Sequence, residues 1–186
     1  MEIRIIAEGP ADKEVIKAIV RAVTNAGSEN IVGVLPSDLL DETDKFSGDF
    51  SNWLIVLEKI ADEDFMAGMM ATVEGEFIIA VHIDAAERGE KHYDVAEPLR
   101  TGFMDWNQYA SDVRENVKQK LEAIIPTAYR DHIAYAIAVE ETDAWIIPMF
   151  EKARHDTASY AQPKERLRRI IGVDNSLQKK YVDTKK

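Results

Sequence analysis

Phe77-Ile78-Ile79-Ala80-Val81-His82-Ile83-Asp84 is the most apolar run in the chain and decides the fold class. Its seven residues before the acid are nearly continuous in apolar character, without the polar alternation of a half-exposed strand. That pattern suits a strand covered on both faces, as in a parallel sheet. An acid at the exit of such a strand lies where ligand sites form in open α/β sheets, at the carboxyl ends of the strands.

Moving upstream, Glu2 to Glu8 reads as a first strand, with β-branched Ile3, Ile5 and Ile6, stopped by Gly9-Pro10. Pro10 suits the first turn of a helix. From Ala11 to Ala26, Val15, Ile16, Ile19, Ala22, Val23 and Ala26 recur at helical spacing, with Gly27 as the expected stop. A short strand is expected over 30–35. Ser37 to Gly48 reads as an acidic loop, Phe50 to Ala61 as a helix, and Phe65 to Ala71 as a shorter Met-rich helix before the turn Glu74-Gly75-Glu76.

Downstream, Glu87 to Phe103 is polar and broken by Gly89, Pro98 and Gly102, the pattern of a long loop. Trp106, Tyr109, Ala110, Val113, Val117, Leu121 and Ile124 mark an amphipathic helix ended by Pro126. His132 to Val139 is a further buried-strand candidate. Pro163 opens a last helix with Leu167, Ile170 and Ile171 inside. The alternation predicts one α/β domain over 1–173, a largely parallel sheet flanked by helices, with 174–186 as a basic C-terminal tail.

With 186 residues the chain is large enough to bury a core without staples. It has no cysteine, which removes disulfides, thiolate metal sites and a cysteine nucleophile. The start of the sequence shows no secretory signal pattern, and no apolar run approaches the roughly 20 residues that span a bilayer. A cytoplasmic location without membrane contact is expected. The net charge of −11 argues against nucleic acid. Its unevenness softens that inference, since 37–49 is acidic and 164–186 basic. No Walker loop, Gly-x-Gly-x-x-Gly, zinc-spaced histidine pair or Gly-x-Ser-x-Gly elbow occurs.

The remaining chemistry is acidic and sits at strand ends. Glu8 and Asp12 follow the first strand, Asp84 and Glu87 the second buried one, and Glu140-Glu141-Thr142-Asp143 the third. Carboxylates gathered in one crevice repel unless a cation or a proton lies between them. Magnesium takes oxygen ligands, one or two of them carboxylates, with water and substrate phosphate completing the shell. The structural alternatives are plain. Asp12 can complement the helix dipole while Glu8 is solvated. Asp84 can cap the next segment of chain, and His82, on the same side of the strand as Asp84, can be a hydrogen-bonded sheet residue. One of Glu140, Glu141 and Asp143 is expected to cap the helix carrying Trp145, itself read as core, and another to face the crevice. Glu140 is carried as that ligand, with the choice among the three open. A basic segment, Ser176-Leu177-Gln178-Lys179-Lys180, can bring an ammonium toward a phosphate or can be solvated.

Glu8-Gly9-Pro10-Ala11-Asp12 after a strand, with an acidic motif after a later strand, resembles a Toprim domain of the kind in overcoming-lysogenization-defect nucleases and their small bacterial relatives. Glu8 and Asp12 match Glu-x-x-x-Asp, Glu140 to Trp145 is similar to an acidic-Trp segment, and Ser176 to Lys180 is similar to Ser-Leu-x-x-Lys. The resemblance implies Mg²⁺- or Mn²⁺-dependent phosphoesterase or nuclease chemistry on phosphodiesters, in phage defence or a mobile element. It implies Glu8 as metal ligand or general acid/base, Asp12 and Asp84 as metal ligands, and Lys180 as the cation that neutralises phosphate charge. The implied partners are nucleic acid or a phosphorylated ligand, with a protein partner or a second copy of the chain left open. The chain departs from the family at Ala86, where Asp-x-Asp would have its second acid. Glu87 is the residue available to compensate. Without it the expectation becomes a binding or partner module that cleaves nothing.

Overall fold

The strand Phe77–Asp84 (β3) lies inside a four-stranded, all-parallel sheet of order β2-β1-β3-β4. The computed structural model describes residues 1–36, 52–98, 105–150 and 162–173. Its strands are β1 (Glu2–Ile6), β2 (Ile31–Leu35), β3 and β4 (Ile133–Ala138). The helices are α1 (Pro10–Thr24), α2 (Trp53–Ala61), α3 (Glu63–Ala71), α4 (Trp106–Ile124), α5 (Asp143–Ile146) and α6 (Pro163–Val173).

The apolar continuity of β3 has its reason in the two faces it supplies. Ile79, Val81 and Ile83 join the larger core beneath α2, α3 and α4, with Val56, Ile60, Met66, Val113 and Val117. Ala80 faces the other way, into a core with Ile3, Ile5, Ile16 and Ile31 under α1. A third small cluster, Ala144, Ile147 and Leu167, joins α5 to α6. The expected α/β domain with a parallel sheet flanked by helices is therefore present.

From β1 the chain passes through α1 to β2 on one side, then crosses to β3 on the other. The order reverses between β1 and β3, which is where sheets of this kind open a crevice at their carboxyl ends. Register fixes what lies there: Ile6 pairs with Val81, and Asp84 with Ala138. β1 ends at Ile6, two residues short of the expected boundary, so Ala7 and Glu8 leave the ladder as they enter the crevice. The Ala7 N–H still bonds the Leu35 carbonyl at 2.8 Å.

Helix ends depart from expectation where a polar side chain outranks the hydrophobic pattern. α1 stops at Asn25, which takes the left-handed conformation at φ 54°, and not at Gly27. Asparagine is the other residue that tolerates that cap. α3 starts two residues before Phe65 because the Asp62 carboxylate accepts the N–H groups of Asp64 and Phe65 at 3.0 and 3.1 Å. The acidic loop expected over 37–48 and the tail over 174–186 lie outside the described residues. No described helix is long and apolar enough to cross a membrane.

Of the loop expected over 87–103, residues 87–98 are irregular and 99–103 lie outside the described residues; one buried cation holds the described part. Arg88 Nε donates to Glu97 Oε2 at 2.7 Å, Nη2 to the Tyr109 hydroxyl at 2.6 Å, and Nη1 to the carbonyls of Ala85 and Val139. The guanidinium thus ties the exit of β3 to α4 and to the exit of β4. Removing one member of a buried charge network leaves its partners uncompensated, at a cost of about 3–5 kcal/mol. Arg88→Ala is expected to lose stability of that order in urea unfolding. Glu97→Gln should lose far less, because the Glu97 side chain is 44% exposed. Equal midpoints for Arg88→Ala and the wild type would show that this network does not hold the loop.

Candidate functional site

β1 and β3 deliver their acids to the crevice by different means. Glu8 leaves the end of β1 and turns its Oε1 to the backbone N–H of Asp84, which donates to it at 2.6 Å. That bond spans the gap between the two strands where their order reverses. Asp12 lies in the first turn of α1, whose entry is pinched at Gly9. A Cβ on Gly9 would stand 2.8 Å from Asp12 Oδ2, so glycine leaves the space the Asp12 carboxylate occupies.

Asp84 is held by a residue outside the acid set. Its Oδ1 accepts the Thr142 hydroxyl at 2.8 Å and the Thr142 N–H at 3.1 Å. On the far side of that hydroxyl stands His82 Nε2, at 2.7 Å. A hydroxyl has one proton to donate. Donation to Asp84 leaves the Thr142 oxygen to accept from His82, which puts the imidazole proton on Nε2. Nδ1, fully buried and without a partner among the described residues, is then a bare lone pair and not an orphaned donor. His82 also meets the Trp145 ring edge-on at 5.9 Å. Behind the site, the Tyr93 hydroxyl donates to the Asp84 carbonyl at 3.1 Å, and its ring stacks on Trp53.

The electrostatics converge on Asp84. Burial first, and then the Asp84 charge, push the Glu8 carboxyl up to about 8, against the pull of the Asp84 N–H. Asp12 is raised by burial and then by Asp84. Glu87 and Asp143 are raised chiefly by burial, with Asp84 adding to each. Burial and the charges of Glu8, Asp84 and Glu87 raise the Tyr93 phenol.

Glu8, Asp12, Glu87 and Asp143 thus all stand near enough to Asp84 to feel its charge, whereas Glu140 and Glu141 turn to other work. Glu140 Oε1 stands 3.7 Å from Arg88 Nη2 and 3.4 Å from the Tyr109 hydroxyl. Glu141 Oε2 accepts the N–H of Lys164 at the start of α6, at 3.1 Å. The residue at the cap of α5 is Thr142, with no side-chain cap bond, because its hydroxyl is engaged by Asp84 and His82. Lys180 lies outside the described residues. Thr142, Tyr93 and Arg88 were not legible as site-forming residues. The available signal for Thr142 was a lone hydroxyl set inside an acidic run at a strand exit.

Among the described residues, no three His, Asp or Glu side chains stand at the spacing of a preformed metal cage. Magnesium needs no such cage when waters and a substrate phosphate share its shell. The donor chemistry fits such an ion. Glu8 Oε1 and Asp84 Oδ1 are engaged by protein donors, and their second oxygens carry no hydrogen bond among the described residues.

The raised Glu8 carboxyl has a consequence for stability with a definite sign. Folded Glu8 holds its proton up to about 8, whereas the unfolded side chain releases it near 4.5. The folded state therefore binds more protons across that window, and stability falls as pH rises through it. Asp12, Glu87 and Asp143 shift in the same direction. In a chelator, the urea midpoint is expected to fall between 4.5 and about 8, and Glu8→Gln is expected to flatten that fall. An equally steep fall in Glu8→Gln would separate it from Glu8.

No family model, no curated protein and no solved structure matches this chain, which leaves the geometry of the β1–β3 crevice as the ground for a functional reading.

Proposed function

We propose that this chain is a Toprim-like, Mg²⁺- or Mn²⁺-dependent phosphoesterase acting on phosphodiesters, a nuclease in the setting of phage defence or a mobile element. The observation that carries the reading is the Glu8–Asp84 bridge across the strand-order reversal. It gathers half-buried carboxylates, and desolvation and mutual repulsion raise Glu8 to about 8; the second oxygens of Glu8 and Asp84 are left unengaged among the described residues.

Glu8, Asp12 and Asp84 would hold the ion, with Glu87 standing in for the acid missing at Ala86. A divalent ion supplies Lewis-acid polarisation of a phosphoryl oxygen and a nucleophilic water at neutral pH. The chain's own residues supply orientation. Thr142 fixes Asp84 through its hydroxyl and N–H, with His82 fixing the hydroxyl in turn. Tyr93 holds the Asp84 backbone from behind. In the metal-free site the Glu8 carboxyl is pushed up to about 8, so a proton and the ion compete for it near neutral pH.

Ala86 favours a second reading, a binding or partner module that retains the crevice and cleaves nothing. Calorimetric titration with Mg²⁺ and Mn²⁺, and cleavage assays on DNA, RNA and a small phosphodiester, separate the two. The enzyme reading expects metal binding and cleavage, both abolished in Glu8→Ala and Asp84→Ala. A well-folded wild type that binds neither ion and cleaves none of the substrates would sink it.

Thr142 gives a finer test. Groups that orient a metal ligand from behind typically contribute 10–100-fold to affinity or activity. Thr142→Val is expected to weaken Mn²⁺ binding by about that factor, and Thr142→Ser to restore most of it. Equal affinity in Thr142→Val and the wild type would show that the hydroxyl does not position Asp84 for the ion.

A further inference from the structure

The acidic crevice has a basic neighbour. α6 carries Lys164, Arg166, Arg168 and Arg169 against a single acid, Glu165, in a chain whose net charge is −11. The helix is seated at the rim of the crevice by three observations. Glu141 accepts the Lys164 N–H at 3.1 Å, Leu167 packs with Ala144 and Ile147 of the segment just past Thr142, and Lys164 and Arg168 both act on the Asp143 carboxyl. Lys164 and Arg168 are four residues apart and so share one edge of the helix. Both are exposed, and neither has an ion-pair partner within 4.0 Å among the described residues. Arg169 points from a different edge, and its Nε reaches back to the Glu165 carbonyl at 3.4 Å.

A pair of exposed cations beside a crowd of carboxylates solves a specific difficulty. An anionic substrate approaching Glu8, Asp12 and Asp84 is repelled by them. A lysine and an arginine on the adjoining rim offset that repulsion and offer donors to non-bridging phosphate oxygens. We propose that Lys164 and Arg168 form a phosphate-binding rim of the crevice, which takes a phosphodiester phosphate from a polynucleotide backbone or from a small phosphoester. The inference rests on the phosphoesterase reading for what the crevice does with that phosphate, but the rim binds by charge and can be tested without metal.

The test uses the full chain and two probes. Anisotropy of a short fluorescein-labelled DNA oligonucleotide, titrated across a salt series in EDTA, reads binding alone. Hydrolysis of bis(p-nitrophenyl) phosphate with Mn²⁺ reads the small-molecule arm. For the double variant Lys164→Gln/Arg168→Gln, the slope of log affinity against log salt is expected to fall by about 2, one for each lost phosphate contact. Arg169→Gln, on the other edge, is expected to leave the slope within about half a unit of the wild type. Loss confined to the oligonucleotide places a flanking backbone phosphate on the rim. A matching rise in KM for bis(p-nitrophenyl) phosphate places the reacting phosphodiester there. An unchanged slope in the double variant, an equal loss in Arg169→Gln, or a wild type that binds neither probe overturns the proposal. If the double variant loses slope while the wild type binds no Mn²⁺ and cleaves nothing, the metal reading fails and the rim stands as a binding surface.

Discussion

Asp84 is the one charge that every raised acid around it feels, on top of the burial that raises each of them first. It ends the most buried strand, at the point where the strand order reverses, with its own side chain half-buried. Glu8, Asp12, Glu87 and Asp143 are all raised, and Asp84 contributes to each. The fold answers with donors aimed at the acids. The Asp84 N–H goes to Glu8, and the Thr142 hydroxyl and N–H go to Asp84. Donor and acceptor come from the ends of three different strands, so the crevice is also a clasp across the carboxyl edge of the sheet.

That clasp needs a rigid frame. Arg88 supplies one side of it by pinning the segment after Asp84 to α4 and to the Val139 carbonyl beyond β4. Tyr93, returning from the same segment, reaches the Asp84 carbonyl and leans on Trp53 of α2. Arg88, which holds the loop, and Tyr93, which holds the Asp84 backbone, are therefore neighbours in sequence.

How far the sequence could be read depends on the reach of each physical signal. Burial of β3 on two faces is written in seven consecutive residues, and the 19-residue helix α4 in its hydrophobic period, so both were legible. The placement of Asp84 at a strand exit, with His82 on the same side, comes from the two-residue period of a strand. Signals that need a partner from elsewhere were silent. Asp62 and Asn25 overrode the apolar pattern at helix ends through local polar geometry. Thr142 acquires its role only when β4 lies beside β3 in register, Ala138 opposite Asp84. Glu140 reads the same as Glu141 in the sequence, and only the position of Arg88 on one side and α6 on the other sends the two apart.

The departure at Ala86 takes on a different weight once the crevice is seen whole. In a strict Asp-x-Asp arrangement the second acid comes from the same strand exit as the first. Here the neighbouring charge comes from Glu8 on β1, Asp12 on α1 and Glu87 one residue past the gap, and each of the three feels Asp84. The crevice is therefore not short of negative charge. It already carries enough to hold a proton on Glu8 at neutral pH, which is the state a buried carboxylate adopts when no cation relieves it. Proton and divalent ion are alternative occupants of the same charge surplus. On the proposed phosphoesterase reading, what Ala86 lacks is one oxygen donor at one position. The repulsion between Glu8 and Asp84 remains, and it comes from holding both acids at the ends of β1 and β3, where burial raises Glu8.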